Sequence, residues 1–133
     1  MATTTATLTI SSADLTSNPL SITTSSTLYK AGTTIGLEQT TGLAKKVYAA
    51  AQSNTTLISA GDYADDTHSR VYIRNSGSST TDFFTVTIAS GNSVIGRLYG
   101  GDFLFIPYEG EEDIDISSSA TNMELEFMVI NEG

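Results

Sequence analysis

A single histidine, His68, lies in the run Asp65-Asp66-Thr67-His68-Ser69-Arg70, and an imidazole among carboxylates and hydroxyls is the least from which nucleophilic catalysis can be built. Such catalysis also needs an exposed, strained nucleophile with its base in reach, and no Gly-x-Ser-x-Gly elbow occurs in the chain. The run therefore reads as a polar loop leading into a strand. With one His and no Cys, the imidazole and thiolate ligands usual for a catalytic zinc are also missing.

Oxygen ligands are more plentiful. Asp62, Asp65 and Asp66 share one loop, and Glu109, Glu111, Glu112, Asp113 and Asp115 crowd a later one. Calcium takes about six to eight oxygens from a shaped loop, and neither group follows the Asp-x-Asp-x-Asp-Gly spacing that supplies them. Both read as solvated acidic loops, the second also keeping strand edges soluble. Paired carboxylates serve glycoside hydrolysis too, but sugar-cleaving clefts present aromatic platforms and this chain has no Trp. Gly96-Arg97-Leu98-Tyr99-Gly100-Gly101 resembles a phosphate-binding glycine loop without its spacing or a following helix, so it reads as a tight turn or bulge between strands. No catalytic, cofactor-binding or metal-binding residue is assigned, and the chain reads as a non-enzyme that needs no cofactor.

Charge narrows the partners. The formal net charge is -9; every Lys and Arg lies between Lys30 and Arg97, while Glu109 to Gly133 holds eight acids and no base. No basic cluster exceeds Lys45-Lys46, so nucleic acid and anionic membrane surfaces are excluded as principal partners. The start Met1-Ala2-Thr3-Thr4-Thr5 has no basic and apolar signal pattern, and no stretch approaches the roughly 20 apolar residues that cross a bilayer. The expectation is a soluble protein made in a cytoplasm.

The elements that would position these residues are strands. With 21 Thr and 17 Ser among 133 residues, the composition suits half-buried strands and turns, and helix formers are thin. Leu8 and Ile10 alternate with Thr, and Leu20 and Ile22 with Ser and Thr, around the turn signal Ser17-Asn18-Pro19. So light an apolar load predicts an N-terminal arm that ties subunits together or a plain edge strand, over residues 1–27. The sandwich domain is expected over 28–133. Within it Leu43 to Ala51 fits a strand or two helical turns, with a strand over Lys46 to Ala50 preferred.

Later strands are plainer: Arg70 to Arg74 with Val71 and Ile73 inward; Phe83 to Ile88 with Phe84, Val86 and Ile88 inward; Val94 to Tyr99; Asp113 to Ile116; and Met123 to Ile130 with Leu125, Phe127 and Val129 inward. Asp102 to Pro107 is apolar on both faces and predicts a central strand covered on both sides. Short strands about 10 residues apart with turn signals between them define the fold class: all-β, a single antiparallel β-sandwich, jelly-roll-like or a small barrel.

The run Gly96 to Pro107 resembles a stretch in small structural proteins of marine tailed bacteriophages, especially cyanophages, as do Arg70-Val71-Tyr72-Ile73-Arg74-Asn75, Ala6-Thr7-Leu8-Thr9-Ile10 and Met123-Glu124-Leu125-Glu126-Phe127. These pieces span most of the second half and the first ten or so residues, and they mark strands and turns without carrying chemistry. The resemblance implies a virion component, foremost a capsid decoration or cement protein binding the outer surface of the major capsid protein and copies of itself as a dimer or trimer. A head fibre, a tail accessory or a receptor- or glycan-binding module is the alternative. It transfers no functional residue. Leu8, Ile10, Tyr99, Phe103 and Tyr108 are the candidate interface residues, and the six tyrosines are candidate stacking surfaces or ordinary packing.

Overall fold

Alternation of side chains dictates the central strands. In Ser69-Arg70-Val71-Tyr72-Ile73-Arg74-Asn75 every second residue is buried, from Ser69 at 1% exposure through Val71 and Ile73 at 0% to Asn75 at 2%. Period-two burial of this kind is what a pleated strand with one face on a core produces. The computed structural model describes residues 3–132. Eleven strands are formed: β1 (Thr5–Ser12), β2 (Leu20–Thr27), β3 (Gln39–Thr40), β4 (Ala44–Tyr48), β5 (Thr55–Ile58), β6 (Ser69–Asn75), β7 (Phe83–Ile88), β8 (Ser93–Tyr99), β9 (Phe103–Tyr108), β10 (Ile114–Ser118) and β11 (Met123–Asn131). A single 3₁₀ turn, Ala60–Asp62, follows β5.

Nine of these strands build two packed sheets. One runs β5-β10-β7-β8; the other runs β11-β6-β9, with β3 and β4 both pairing the far side of β11. The pairing has a simple logic: β7 pairs with β8, β6 with β9, β5 with β10 and β4 with β11. The chain from β4 to β11 is thus one long antiparallel ribbon doubled back at the β7–β8 turn and rolled over itself. Rolling brings β11 against β6 and β10 against β7, which joins the halves of the ribbon into two sheets. This is a jelly roll. No closed barrel forms, because β8 and β9 end their sheets without pairing to each other.

The core lies between the sheets. Val71, Ile73, Leu125 and Val129 from one sheet meet Phe84, Val86, Ile114 and Ile116 from the other, all at 0% exposure. Phe127 and Ile88, partly buried, pack against this cluster, in keeping with the alternation read from the sequence. Asn75 stays buried because its amide donates to the Leu98 carbonyl oxygen at 2.8 Å.

Two sequence expectations need correction. The apolar run ending at Pro107 is not a central strand: β9 is the edge of its sheet, with Phe103 56% and Phe105 39% exposed. Its inward residues Leu104 and Ile106 serve the core, whereas its outward residues meet no covering sheet. Proline suits that position, since an edge strand tolerates a missing N–H on its free side. The strand expected over Lys46 to Ala50 instead runs Ala44–Tyr48, where Tyr48 turns inward and packs edge-on against Phe84 at 6.1 Å.

Residues before the ribbon form a separate hairpin. β1 and β2 pair in register from Thr5↔Thr27 to Ser12↔Leu20 and pair with no other strand. The link to the body is a small second cluster in which Ala6 and Met128 pack on Leu28, Leu37 and Ile130. A hydrogen bond from the Leu28 N–H to the Thr4 oxygen, 2.9 Å, continues that attachment.

Candidate functional site

The hairpin has two chemically distinct faces because its register aligns like with like. On one, Ala6, Leu8 and Ile10 lie opposite Ser26, Thr24 and Ile22; on the other, Thr5, Thr7, Thr9 and Ser11 lie opposite Thr27, Ser25, Thr23 and Ser21. The hydroxyl face is internally bonded at Thr7 and Ser25, whose Oγ atoms are 3.0 Å apart. The other face leaves Leu8, Ile10 and Ile22 42%, 43% and 44% exposed.

That face borders a cleft of about 490 Å³ over the outer side of the larger sheet, whose lining combines Ala6, Leu8, Tyr72, Phe103 and Phe105 with Thr and Ser residues of both hairpin strands. Its surroundings are electrically quiet. Glu126 accepts a hydrogen bond from the Tyr72 hydroxyl at 2.9 Å and is paired with Arg74 at 3.7 Å. Burial, and then the bond to Glu126, push the Tyr72 phenol above its ordinary pKa, so it remains a donor.

The five candidate interface residues are therefore split. Leu8 and Phe103 line one cleft, and Ile10 extends the same apolar face of the hairpin. Phe105, which also lines it, was hidden in the sequence by the expectation that β9 is covered on both faces. Tyr99 belongs to the other sheet, its ring 5.2 Å from that of Phe83, over which the Arg97 guanidinium sits at 4.2 Å. Tyr108 lies at the far end of β9 from Phe103; its ring meets Tyr63 edge-on at 5.8 Å and its hydroxyl donates to the Glu112 carbonyl oxygen at 2.9 Å. Burial first, then Asp113, Tyr63, Asp62 and Asp65, push its phenol up to about 12.

The two acidic loops, far apart in sequence, are neighbours. With β5 paired to β10 and β6 to β9, the β5–β6 and β9–β10 connections must run side by side. Their approach depends on Gly110, at φ +89°, where a Cβ would lie 2.5 Å from the Ala64 carbonyl oxygen. The exposed Glu111 carboxyl is raised above its usual value by Glu109, then Asp66, with Asp65 and Glu112 adding to the effect. Beside this rim opens a second cleft of about 460 Å³, floored by Ile88, Ile95, Ile106 and Pro107 and edged by Glu109, Glu111 and Glu112. Among the described residues, no three or more His, Cys, Asp or Glu side chains converge as metal ligands.

His68 is a structural tie. Its Nδ1 is 3.0 Å from the Tyr29 carbonyl oxygen and its Nε2 is 2.5 Å from Arg70 Nη2, so both ring nitrogens are engaged. Its backbone N–H donates to the Glu132 carboxylate, which also accepts from the Ala31 N–H at 3.1 Å. The adjacent Ser69 is 1% exposed and cannot meet a substrate. Comparison of the chain with protein-family models, with characterised proteins and with solved structures finds no match.

Proposed function

We propose that this chain is a structural protein of a virus particle, a decoration subunit that docks on the outer surface of the major capsid shell. The observation that carries the reading is the cleft beneath the N-terminal hairpin, where Leu8, Phe103 and Phe105 stay 39% to 56% exposed around one uncharged opening and Ile10, 43% exposed, continues the same face of the hairpin. Single exposed apolar residues are ordinary, but a contiguous set facing one cleft marks an interaction surface. Two further points support the reading. Jelly rolls recur in capsid and lectin domains, a fold-level analogy, and several strands resemble those of small structural proteins of marine tailed bacteriophages.

The test is the double variant Leu8→Ser/Ile10→Ser. Burying a Leu or Ile fully contributes about 1.5–3 kcal/mol, so covering the fractions still exposed contributes about 1–2.5 kcal/mol for the pair. Affinity for purified particles should fall about 5- to 100-fold while the free protein stays folded. Wild-type occupancy by a folded variant would remove the cleft from the docking surface.

A further inference from the structure

The opposite edges of the larger sheet carry complementary chemistry. At one edge β4 pairs only with β11, and its register places Lys45 and Val47 on the outer side of the sheet, in line with Glu126 and Glu124. Alternation places Leu43, just before the strand, on that same side, so the edge presents an apolar, basic, apolar stripe. Leu43 is 60% and Val47 69% exposed, and Lys46, exposed on the opposite side of this edge strand, adds a second ammonium to the edge. These are the only adjacent basic residues in the chain. Lys45 is held by an exposed ion pair with Glu124 at 3.4 Å, an interaction weak enough to exchange for another carboxylate.

At the other edge lies the second cleft, beside the end of β9. Its floor is apolar, with Ile95 43% exposed on the edge strand β8, and its rim is Glu109, Glu111 and Glu112. The two ion pairs among the described residues engage Glu124 and Glu126, so the rim carboxylates are left without a cation. Their mutual repulsion appears in the raised Glu111 carboxyl. An apolar floor inside a like-charged rim fits a segment that carries large aliphatic side chains next to lysine.

We infer that copies of this chain associate head to tail, the Leu43–Lys45–Val47 edge of one copy seated in the acid-rimmed cleft of the next. Leu43 and Val47 meet the isoleucine floor and Lys45 meets the glutamates, while Lys46 on the other side of the edge adds to the attraction at longer range. The net charge of -9 makes most other approaches of two copies repulsive, so the complementary patches also select the register. Because the contact joins two different patches it does not close at two copies, and it builds rings or rows. The patches are small beside the roughly 800 Å² per partner of a standard interface, so the contact is weak in solution and gains from neighbours held on a common surface.

The experiment uses the free protein, so it succeeds or fails independently of docking on a particle. Sedimentation velocity over a concentration series is run on wild type, on Lys45→Glu/Lys46→Glu, on Glu109→Lys/Glu111→Lys and on a one-to-one mixture of the variants, each checked for folding by circular dichroism. Wild type should grow in mass with concentration, and each variant alone should associate at least about tenfold more weakly. The mixture should regain the association that each variant alone lacks, since the intact stripe of one variant meets the intact cleft of the other, the two reversed patches are again opposite in sign, and the pair carries the total charge of two wild-type copies. A wild type that stays monomeric throughout, variants that assemble like wild type, or a mixture that forms no pairs would each overturn the inference.

Discussion

Removing residues 1–26 should leave the jelly roll folded. Among the described residues the β1–β2 hairpin touches the body through little that the core requires: one backbone hydrogen bond, Leu28 N–H to the Thr4 oxygen, and the Ala6 methyl on the Leu28, Leu37 and Ile130 cluster. A net hydrogen bond contributes about 1 kcal/mol and a buried methyl about 0.8 kcal/mol, so the loss should be about 2 kcal/mol. Against a stability of about 5–15 kcal/mol for a domain, that is tolerable. With a urea slope of about 1–3 kcal/mol/M, the unfolding midpoint read by far-ultraviolet circular dichroism should drop by about 1 M without losing cooperativity. In the intact protein the β1 and β2 amides should exchange with solvent faster than those of β6 and β11, because an unsupported two-stranded hairpin is marginal in water. An unfolded truncated chain, or β1 amides as protected as those of β6, would refute the division into arm and body.

Two further outcomes test the acidic end. Tyr108→Phe should cost about 1 kcal/mol at neutral pH by removing the hydroxyl's bond to the Glu112 oxygen. Since the folded phenol is pushed up to about 12, above its ordinary value near 10, the stability it lends is complete below pH 10 and is lost as pH rises toward 12. The wild type should therefore lose urea resistance over that window faster than the Phe variant, and parallel curves would show that Tyr108 does not carry the linkage. Gly110→Ala should destabilise by at least about 1–2 kcal/mol, since it pairs a positive φ with a Cβ 2.5 Å from the Ala64 oxygen. An unchanged melting temperature would mean that the two loops part at no cost.

The sequence made the strands of the second half legible because their apolar residues alternate cleanly: Val71 and Ile73, Phe84 and Val86, and Leu125 and Val129 all end at 0% exposure. The light alternation around Leu8, Ile10, Leu20 and Ile22 likewise marked β1 and β2 as strands, though not their pairing with each other. Periodicity misled at β9, where a second apolar face signifies an open surface as readily as a covered one, and it blurred β4, whose Lys45-Lys46-Val47 has no period of its own. The candidate docking cleft was partly legible, through Leu8 and Phe103, with Ile10 on the adjoining face of the hairpin. The meeting of the two acidic loops was not legible, because it depends on which strands pair across more than fifty residues, and no local pattern encodes that.

The nested pairing of the ribbon also orders events in time. Its contacts enclose ever longer loops, from the β7–β8 turn outward to β4 with β11, so each closure shortens the next search and the first is the least costly. β11, which follows the other strands of the ribbon, lies between β6 on one side and β3 and β4 on the other. On a ribosome the larger sheet therefore stays split until β11 has emerged, with the apolar face of β6 waiting for it.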